Sequence, residues 1–385
     1  MAILPCGSVS IPAARITDIG QFPERTSIDL AEEALDGALG DAGLRRADVD
    51  GFVWNLGTSV GANYDVACRE LGLRPGFVMQ TWTHGRFTGS CIGIAAMAVA
   101  SGAATAVACV GGIKGLPYRG EGDKRKGIGR ELYMRPAADA LTRYLQMYGV
   151  DRDRLAEVVL SAHRYAGLNP HAYRHDGLSL AEYATSPMAF EPLKEADCYP
   201  TDESAGPVHD CGVCVLVTSA HRSSASGREV YFLSGQTIQG GPEEVYFGRP
   251  GLGDPPSSFQ PSDRDIAAFT ACGVTPSDID GFYTYDPFSS TVWYSLERFG
   301  YCEPGEAPSW ATAERMWLDG ELPVNTNGGI LAAGHSVGWG QIVEMVQQLR
   351  GEAGQRQIAG VELVHWGSVF GDSLILTNNA ERCGR

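Results

Sequence analysis

The spacing of apolar residues along the chain predicts alternating helices and strands. Helical periodicity is clearest over Ser27–Gly43, where apolar side chains share one face and acidic side chains lie outside. Apolar runs predict buried strands at Gly76–Trp82, Thr105–Val110 and Cys211–Thr218. The small residues of Gly89–Gly102 predict a helix buried on every side. This alternation is typical of an α/β fold with helices on both faces of the sheet.

Weaker patterns predict the remaining elements. The predicted helices are Val66–Leu71, Ala137–Tyr148, Asp151–Tyr165, Ile266–Gly273, Ser289–Gly300 and a long helix from about Gly338 to Gly351. The predicted strands are Phe52–Trp54, Arg228–Ser234, Gly281–Thr284, Val361–His365 and Leu374–Thr377. Residues 113–200 alternate polar loops with amphipathic helices, which indicates an insertion lying over the sheet.

Two segments repeat one local pattern. In Ala42–Phe52 and again in Ala271–Phe282, a helix ends at glycine, a polar turn follows, and an Asp-Gly-aromatic step enters a strand. The offset is constant, because Gly43 recurs as Gly273 and Asp50 as Asp280. A repeat of this length predicts two duplicated halves, 1–225 and 226–385.

Composition and charge narrow the function. The 385 residues are 44% hydrophobic, which is ordinary for a globular protein with a large core. The net charge of −16 and the absence of a basic face argue against nucleic-acid binding. No apolar run is long enough for a membrane helix, and the N-terminus lacks a basic, signal-like start. We therefore expect a cytoplasmic protein without a membrane span.

The ten cysteines show no regular spacing. Cys211 and Cys214 form a C-x-x-C pattern, which occurs at zinc and redox sites. In a strand, however, residues three apart face opposite sides of the sheet. We therefore predict no metal site here and reduced, packed cysteines elsewhere.

The strongest local basic cluster contains Arg119, Lys124, Arg125 and Lys126. It is either a solvated loop or a phosphate contact for a carried cofactor.

One C-terminal segment resembles a known family signature. Asn325–Gly338 resembles the Asn-x-x-Gly-Gly…Gly-His-x-x-Gly motif of thiolases, particularly their sterol-carrier and lipid-transfer branch. The segments Pro192–Glu203, Gly300–Cys302 and Gln348–Glu352 extend the resemblance over nearly the whole chain. The resemblance implies the thiolase fold, with two α/β halves in a five-layered αβαβα arrangement, and a homodimer.

The resemblance also implies where to look for catalytic groups. Thiolases carry a nucleophilic cysteine at the start of the helix that closes here at Gly102, and this position falls on Gly85, preceded by His84. Cys91 lies nearby and is either a covalent nucleophile or a packing residue. Tyr285 stands where the family has an amide or an imidazole that holds a thioester oxygen.

Two further histidines come from the same comparison. His335 matches the thiolase histidine that activates the nucleophile or polarises the thioester carbonyl. His365 stands where ordinary thiolases have their acid/base cysteine.

A site without its cysteines suits retro-aldol cleavage of a β-hydroxyacyl-CoA thioester, with coenzyme A present only as part of the substrate. In this interpretation Tyr285 is the base or proton relay, and His335 binds the thioester oxygen. His365 and His84 are further candidate proton donors. Aldolase-type relatives work with a small acyl-CoA-binding protein that has a zinc ribbon and an OB-type barrel, so the resemblance suggests such a partner. The resemblance to sterol-degrading relatives suggests a steroid side chain as the acyl group, while aromatic and branched acyl groups remain open.

Two alternatives remain open from the sequence. One is a β-ketoacyl-CoA thiolase or acyltransferase that uses Cys91 or another cysteine. The other is a non-catalytic scaffold that binds acyl-CoA or a partner subunit.

Overall fold

The computed structural model describes residues 8–56, 62–82, 84–114, 133–202, 206–207, 210–220 and 229–384. Its strands are β1 Val9–Ile16, β2 Gly51–Leu56, β3 Phe77–Trp82, β4 Ala106–Ile113, β5 Met188–Phe190, β6 Leu193–Lys194, β7 Thr201–Asp202, β8 Gly206–Pro207, β9 Cys211–Ser219, β10 Tyr231–Gln236, β11 Gly281–Tyr283, β12 Leu363–Gly367 and β13 Ser373–Thr377. Its α-helices are α1 Ser27–Ala42, α2 Tyr64–Glu70, α3 Thr88–Ala100, α4 Arg135–Tyr148, α5 Ala156–Ala166, α6 Leu180–Thr185, α7 Ala267–Cys272, α8 Ser289–Arg298, α9 Ala307–Trp310, α10 Gly329–Ala333 and α11 Trp339–Arg350. None of the helices in these ranges is both long and apolar enough to cross a bilayer.

Nine strands form one sheet made of two half-sheets, which are joined by a short pairing of β1 with β10. The first half-sheet has the order β3-β2-β4-β9-β1, and the second has the order β10-β13-β12-β11. They meet where Ser10 of β1 pairs with Tyr231 of β10. Strand β1 was not predicted, because its Pro12 and small residues lack a clear strand pattern.

Helices fill the space between and outside the half-sheets. Helix α3 packs against β4 and β9 of the first half-sheet and against β10 and β13 of the second. Helix α11 likewise contacts strands of both. Helix α1 covers the outer face of the first half-sheet, and α7 packs on the second. The predicted αβαβα layering is therefore confirmed.

The repeated sequence segments adopt the same local structure. Gly43 and Gly273 both end a helix in the left-handed conformation, with φ of 65° and 69°. A glycine meets this requirement without the Cβ clash that other residues suffer. Asp50 accepts hydrogen bonds from the backbone of residues 105 and 106, which lead into β4. Asp280 accepts the same pair of bonds from residues 362 and 363, which lead into β12. The duplication is thus structural, although the predicted boundary at 225/226 lies outside the described residues.

The prediction from the sequence was wrong about the environment of one strand. The predicted buried strand at Gly76–Trp82 is β3, which lies at the edge of the sheet and pairs only with β2. Val78, Met79 and Trp82 are exposed there. Apolar content alone does not distinguish a central strand from an edge strand with exposed apolar side chains.

The two cysteines of the C-x-x-C pattern face opposite sides of β9, as their spacing predicted. Cys211 belongs to the core beneath α3, whereas Cys214 packs with the α1 side. Burial raises the pKa of both thiols above the usual value.

Candidate active site

Tyr285 and His335 meet in the centre of the molecule. Tyr285 follows β11, and His335 lies in the short link between α10 and α11. The phenol oxygen of Tyr285 and Nε2 of His335 are 3.3 Å apart. Tyr285 is buried, whereas His335 is partly exposed. The two side chains therefore form one hydrogen-bonded pair with a buried member and a partly exposed member.

Burial determines the protonation state of Tyr285. It raises the pKa of the phenol well above 10, and the neighbouring Tyr199 and Tyr246 raise it further. A backbone hydrogen bond from Gly85 acts in the opposite direction but does not reverse the shift. The phenol is thus protonated at neutral pH and cannot by itself act as a base. It can relay a proton to His335, which lies within reach.

Gly85 leaves no room for a nucleophile. A Cβ atom at this position would overlap the ring of Tyr285. Gly85 begins the turn that leads into α3, at the position to which the resemblance assigns the thiolase cysteine. The tyrosine ring therefore occupies the space that a cysteine side chain would need.

His84 lies in the same cluster, but both of its ring nitrogens already have hydrogen-bond partners. Its ring centroid is 5.6 Å from that of Tyr285. Its Nδ1 accepts the backbone N–H of Arg86 at 3.2 Å, so its proton resides on Nε2, which faces the Tyr246 hydroxyl at 3.1 Å. Burial, Arg86 and His335 lower the pKa of His84 to about 3. His84 is thus neutral at pH 7, and its one proton is already engaged with Tyr246.

His365 does not join this cluster, which corrects the prediction from the sequence. Its Nδ1 and Nε2 face the hydroxyls of Tyr301 and Ser373, each at 2.8 Å. Its ring stacks on Phe282 and contacts Phe269 of α7. Neighbouring side chains of β12 alternate, so Trp366, not His365, faces the central helices. Burial lowers the pKa of His365 well below its usual value, which fits a neutral core histidine.

Cys91 is a packed side chain within α3. Its sulfur is fully buried and lies 3.5 Å from the Thr81 hydroxyl and 3.9 Å from the Asn55 amide nitrogen. Burial raises the pKa of the thiol to about 11. A nucleophilic cysteine needs the opposite shift. The structure therefore favours the packing role over the nucleophilic one.

Replacing Cys91 by alanine should leave kcat within about threefold of the wild type, because the thiol is neither ionised nor aimed at Tyr285. The lost packing should lower the free energy of unfolding by about 1 kcal/mol. Steady-state kinetics and urea denaturation check the two parts. A loss of turnover by 100-fold in a folded variant would restore Cys91 as a candidate nucleophile.

The sequence did not identify several aromatic residues of the cluster. Tyr199 contacts the ring of His335 edge-on at 4.9 Å. Tyr246 and Phe247 come from the loop between β10 and α7, and Phe370 from the loop after β12. Tyr199 and Phe370 lie in segments that carry the family resemblance, Pro192–Glu203 and Gly367–Gly371, whereas Tyr246 and Phe247 had no signal in the sequence.

Buried ion pairs hold the loop between β10 and α7 against α8. Arg249 donates to Glu297 at 2.6 Å, and both side chains are fully buried. Arg298 pairs with Glu244 and Asp265, each at 2.9 Å. Charges placed so deep require their partners, which fixes the loop and with it the positions of Tyr246 and Phe247.

Asp286 ties the Tyr285 segment to the elements on either side of His335. Its Oδ1 accepts the backbone N–H of Ile330 in α10 at 2.8 Å and the Gln341 amide in α11 at 2.9 Å. Its other oxygen lies where a Cβ at residue 329 would stand, so Gly329 is required for this close approach. Burial raises the pKa of this carboxyl to about 7. Asp286 thus fixes the Tyr285 segment against both α10 and α11.

Two other predicted features lie away from this cluster or outside the described residues. The predicted cofactor contacts Arg119, Lys124 and Lys126 fall in 115–132, which the structure does not describe. A surface groove of about 550 Å³ is lined by residues 167–171 and 352–356, among others, and contains none of the cluster residues.

Comparison with known proteins supports the fold and the type of chemistry. Residues 261–374 match the family model described as "Thiolase C-terminal domain-like". The chain is 28% identical over 382 residues to the 17-hydroxy-3-oxo-4-pregnene-20-carboxyl-CoA lyase of Mycobacterium tuberculosis, covering 93% of this chain and 95% of the relative. It is 26% identical to an acetyl-CoA acetyltransferase of Methanothermobacter thermautotrophicus, covering 92% of this chain and 94% of that protein.

A solved structure agrees over the same extent. The Ltp2-ChsH2(DUF35) aldolase superposes with a TM-score of 0.81 at 25% identity, covering 98% of this chain and 99% of that chain. The predicted thiolase fold is thereby confirmed, together with the predicted relationship to aldolase-type members of the thiolase superfamily.

Proposed function

We propose that this chain, which has the thiolase fold, is a carbon–carbon lyase that cleaves a β-hydroxyacyl-CoA thioester by retro-aldol chemistry. One observation carries the proposal: the Tyr285 ring fills the space beside Gly85 where a Claisen enzyme needs its sulfur, and its hydroxyl lies 3.3 Å from His335. The site can therefore move a proton but cannot accept an acyl group at that position. The similarity to a lyase and to an aldolase supports the same chemistry.

The reaction balances with these two side chains. The β-hydroxyl of the substrate gives its proton to the Tyr285 oxygen as the phenol proton passes to Nε2 of His335. The Cα–Cβ bond then breaks, and its electron pair forms the thioester enolate while the β-carbon leaves as a ketone or aldehyde. The enolate takes at Cα the proton that His335 received, returned by way of the Tyr285 hydroxyl, and departs as acyl-CoA, which restores both side chains. A buried phenol with a raised pKa needs such a partner base, since it would otherwise hold its proton.

The acyl group in this proposal is a steroid side chain. The lyase relative carries a pregnene-20-carboxyl-CoA in its name, which motivates this choice. The aromatic rings of Tyr199, Tyr246, Phe247 and Phe370 would offer apolar surface beside the reacting bond.

The proposed assembly contains a second copy of this chain and a small acyl-CoA-binding subunit with an OB-type barrel and a zinc ribbon. Support for the dimer comes from β3, an edge strand that exposes Val78, Met79 and Trp82. Support for the other subunit comes from the solved aldolase, whose name includes a DUF35 protein. The net charge of −16 favours holding part of the coenzyme A phosphates on that subunit, with Arg119, Lys124 and Lys126 as proposed contacts on this chain.

Product analysis by mass spectrometry tests the function. The purified chain, alone and co-expressed with a candidate OB-fold subunit, is incubated with β-hydroxyacyl-CoA and β-ketoacyl-CoA thioesters. We expect ketone or aldehyde plus acyl-CoA from the β-hydroxy compounds only, and more turnover with the partner present. Light scattering on the same samples gives the stoichiometry. Cleavage of the β-ketoacyl compounds, with free coenzyme A as acceptor, contradicts the proposal.

The acyltransferase remains the second candidate because of the similarity to an acetyl-CoA acetyltransferase. It requires a covalent acyl-cysteine intermediate. An acylated cysteine peptide after rapid quenching would identify that chemistry in place of retro-aldol cleavage.

A further inference from the structure

Arg86 differs from the other basic side chains that are not exposed, within the described ranges, because it has no carboxylate partner. Every other arginine or lysine that is not exposed has a carboxylate within 4.0 Å, when the comparison is limited to the described ranges. Arg86 is partly buried and has no such carboxylate among these residues. A guanidinium that is partly withdrawn from water without a counter-ion is stabilised by an anion placed beside it, and the described residues supply no carboxylate there.

The guanidinium is nevertheless held in place. Its Nε lies 3.4 Å from Nδ1 of His84. Its carbon lies 5.0 Å from the ring centroid of Tyr246, 5.2 Å from that of Phe370 and 5.7 Å from that of Phe87. Such contacts orient an arginine over aromatic faces but do not neutralise its positive charge.

Arg86 borders the reacting groups. It follows Gly85, which packs against the Tyr285 ring, and its partner His84 lies with its ring centroid 5.6 Å from that of Tyr285. Coenzyme A phosphates are separated from the thioester by the whole pantetheine arm. A thioester placed at Tyr285 would thus bring its own oxygen, and not a phosphate, towards Arg86.

We propose that Arg86 is the cation that stabilises the negative charge on the thioester oxygen when the Cα–Cβ bond breaks. The inference rests on the proposed retro-aldol function. The electron pair of the broken bond is delocalised onto that oxygen in the enolate, where the guanidinium of Arg86 would stabilise it. The role is distinct from that of His335, whose Nε2 faces the Tyr285 hydroxyl and receives the proton.

Enolate formation can be measured without carbon–carbon cleavage. The last step in reverse removes a proton from Cα of an acyl-CoA, so the enzyme should exchange these protons with solvent. Acetyl-CoA in D₂O serves as the probe, and mass spectrometry counts the deuterium incorporated. The variants are Arg86→Met and Arg86→Lys. The control is Arg135→Met, since Arg135 also lies over an aromatic ring, 4.8 Å from the Phe190 centroid, but is exposed and outside the cluster.

We expect Arg86→Met to slow both exchange and retro-aldol cleavage by about 100-fold, the loss typical when an oxyanion contact is removed. The Kd for acetyl-CoA should stay within about threefold of the wild type, because the charge develops only during reaction. Arg86→Lys should recover part of both rates, and Arg135→Met should change neither. This pattern separates a catalytic charge from a general attraction for coenzyme A.

Two results would overturn the proposal while leaving the lyase function intact. The first is wild-type exchange and cleavage in Arg86→Met. The second is a large rise in Kd with wild-type rates at saturation, which would make Arg86 a ground-state contact. A wild-type enzyme that neither cleaves nor exchanges would instead refute the proposed function, and the Arg86 role with it.

Discussion

Tyr285→Phe is expected to lower kcat for retro-aldol cleavage by at least about 100-fold, the usual contribution of a positioned proton-transfer group. The variant keeps the ring that fills the space beside Gly85 but loses the oxygen that faces His335 at 3.3 Å. The Kd for acyl-CoA should change little, because apolar packing is preserved. Single-turnover kinetics and calorimetric binding measure the two quantities separately.

Tyr301→Phe provides the matched control. Tyr301 is a partly buried tyrosine that is also hydrogen-bonded to a histidine, since its hydroxyl lies 2.8 Å from Nδ1 of His365. Its loss should lower the free energy of unfolding by about 1–3 kcal/mol, as expected for an unmade buried hydrogen bond, without reducing kcat. Full activity in Tyr285→Phe would exclude the proton relay. Equal losses of kcat in both variants would indicate a structural effect of removing a tyrosine hydroxyl that is hydrogen-bonded to a histidine.

Gly85→Ala is expected to be nearly as damaging to turnover although it removes no functional group. The added methyl group would overlap the Tyr285 ring and must displace it. A shift of about 1 Å at a reacting group can lower kcat by roughly 100-fold. Overpacking of this kind should also cost about 1–3 kcal/mol of stability. Kinetics and thermal unfolding of the purified variant check both.

Gly93→Ala is the control for Gly85→Ala. It lies in α3 only two turns further on, where an added Cβ meets nothing within 4 Å. Alanine there should leave kcat unchanged and raise stability by about 0.5–1 kcal/mol through helix propensity.

A double variant tests whether Gly85 acts through Tyr285. If it does, Gly85→Ala should add little further loss of kcat once Tyr285→Phe has removed the hydroxyl, because the two changes act on one interaction. Independent, multiplying losses would show that Gly85 affects another part of the site.

These variants separate two chemistries that share one fold. Claisen condensation needs a sulfur that can be acylated, whereas retro-aldol cleavage needs a proton acceptor and a way to stabilise an enolate. The ring of Tyr285 beside Gly85 fills the place of the sulfur, and its hydroxyl supplies a proton-transfer group instead. The buried pairs Arg249–Glu297 and Asp286–Gln341 then hold the surrounding segments so that the tyrosine, the histidine and the arginine keep their relative positions.

Local patterns determined much of the architecture. The helical period over Ser27–Gly43, the apolar run of β9 and the Asp-Gly-aromatic repeat are properties of adjacent residues, and the structure reproduces all three. The Gly-His motif likewise pointed to His335. Counting residues back from Gly102 pointed to Gly85. Such features depend on chain geometry and on the conformational needs of glycine, which sequence records directly.

Only the tertiary structure decided which side chains share a site. His365 follows the family pattern, but the alternation of β12 turns it towards α7, while Trp366 faces the central helices. Arg86, Tyr246 and Phe370 come from three distant segments, and no spacing along the chain indicates that they meet. The exposure of β3 depends in the same way on which strand lies beside it. Periodicity determines the face of an element, whereas packing between remote segments determines what that face meets.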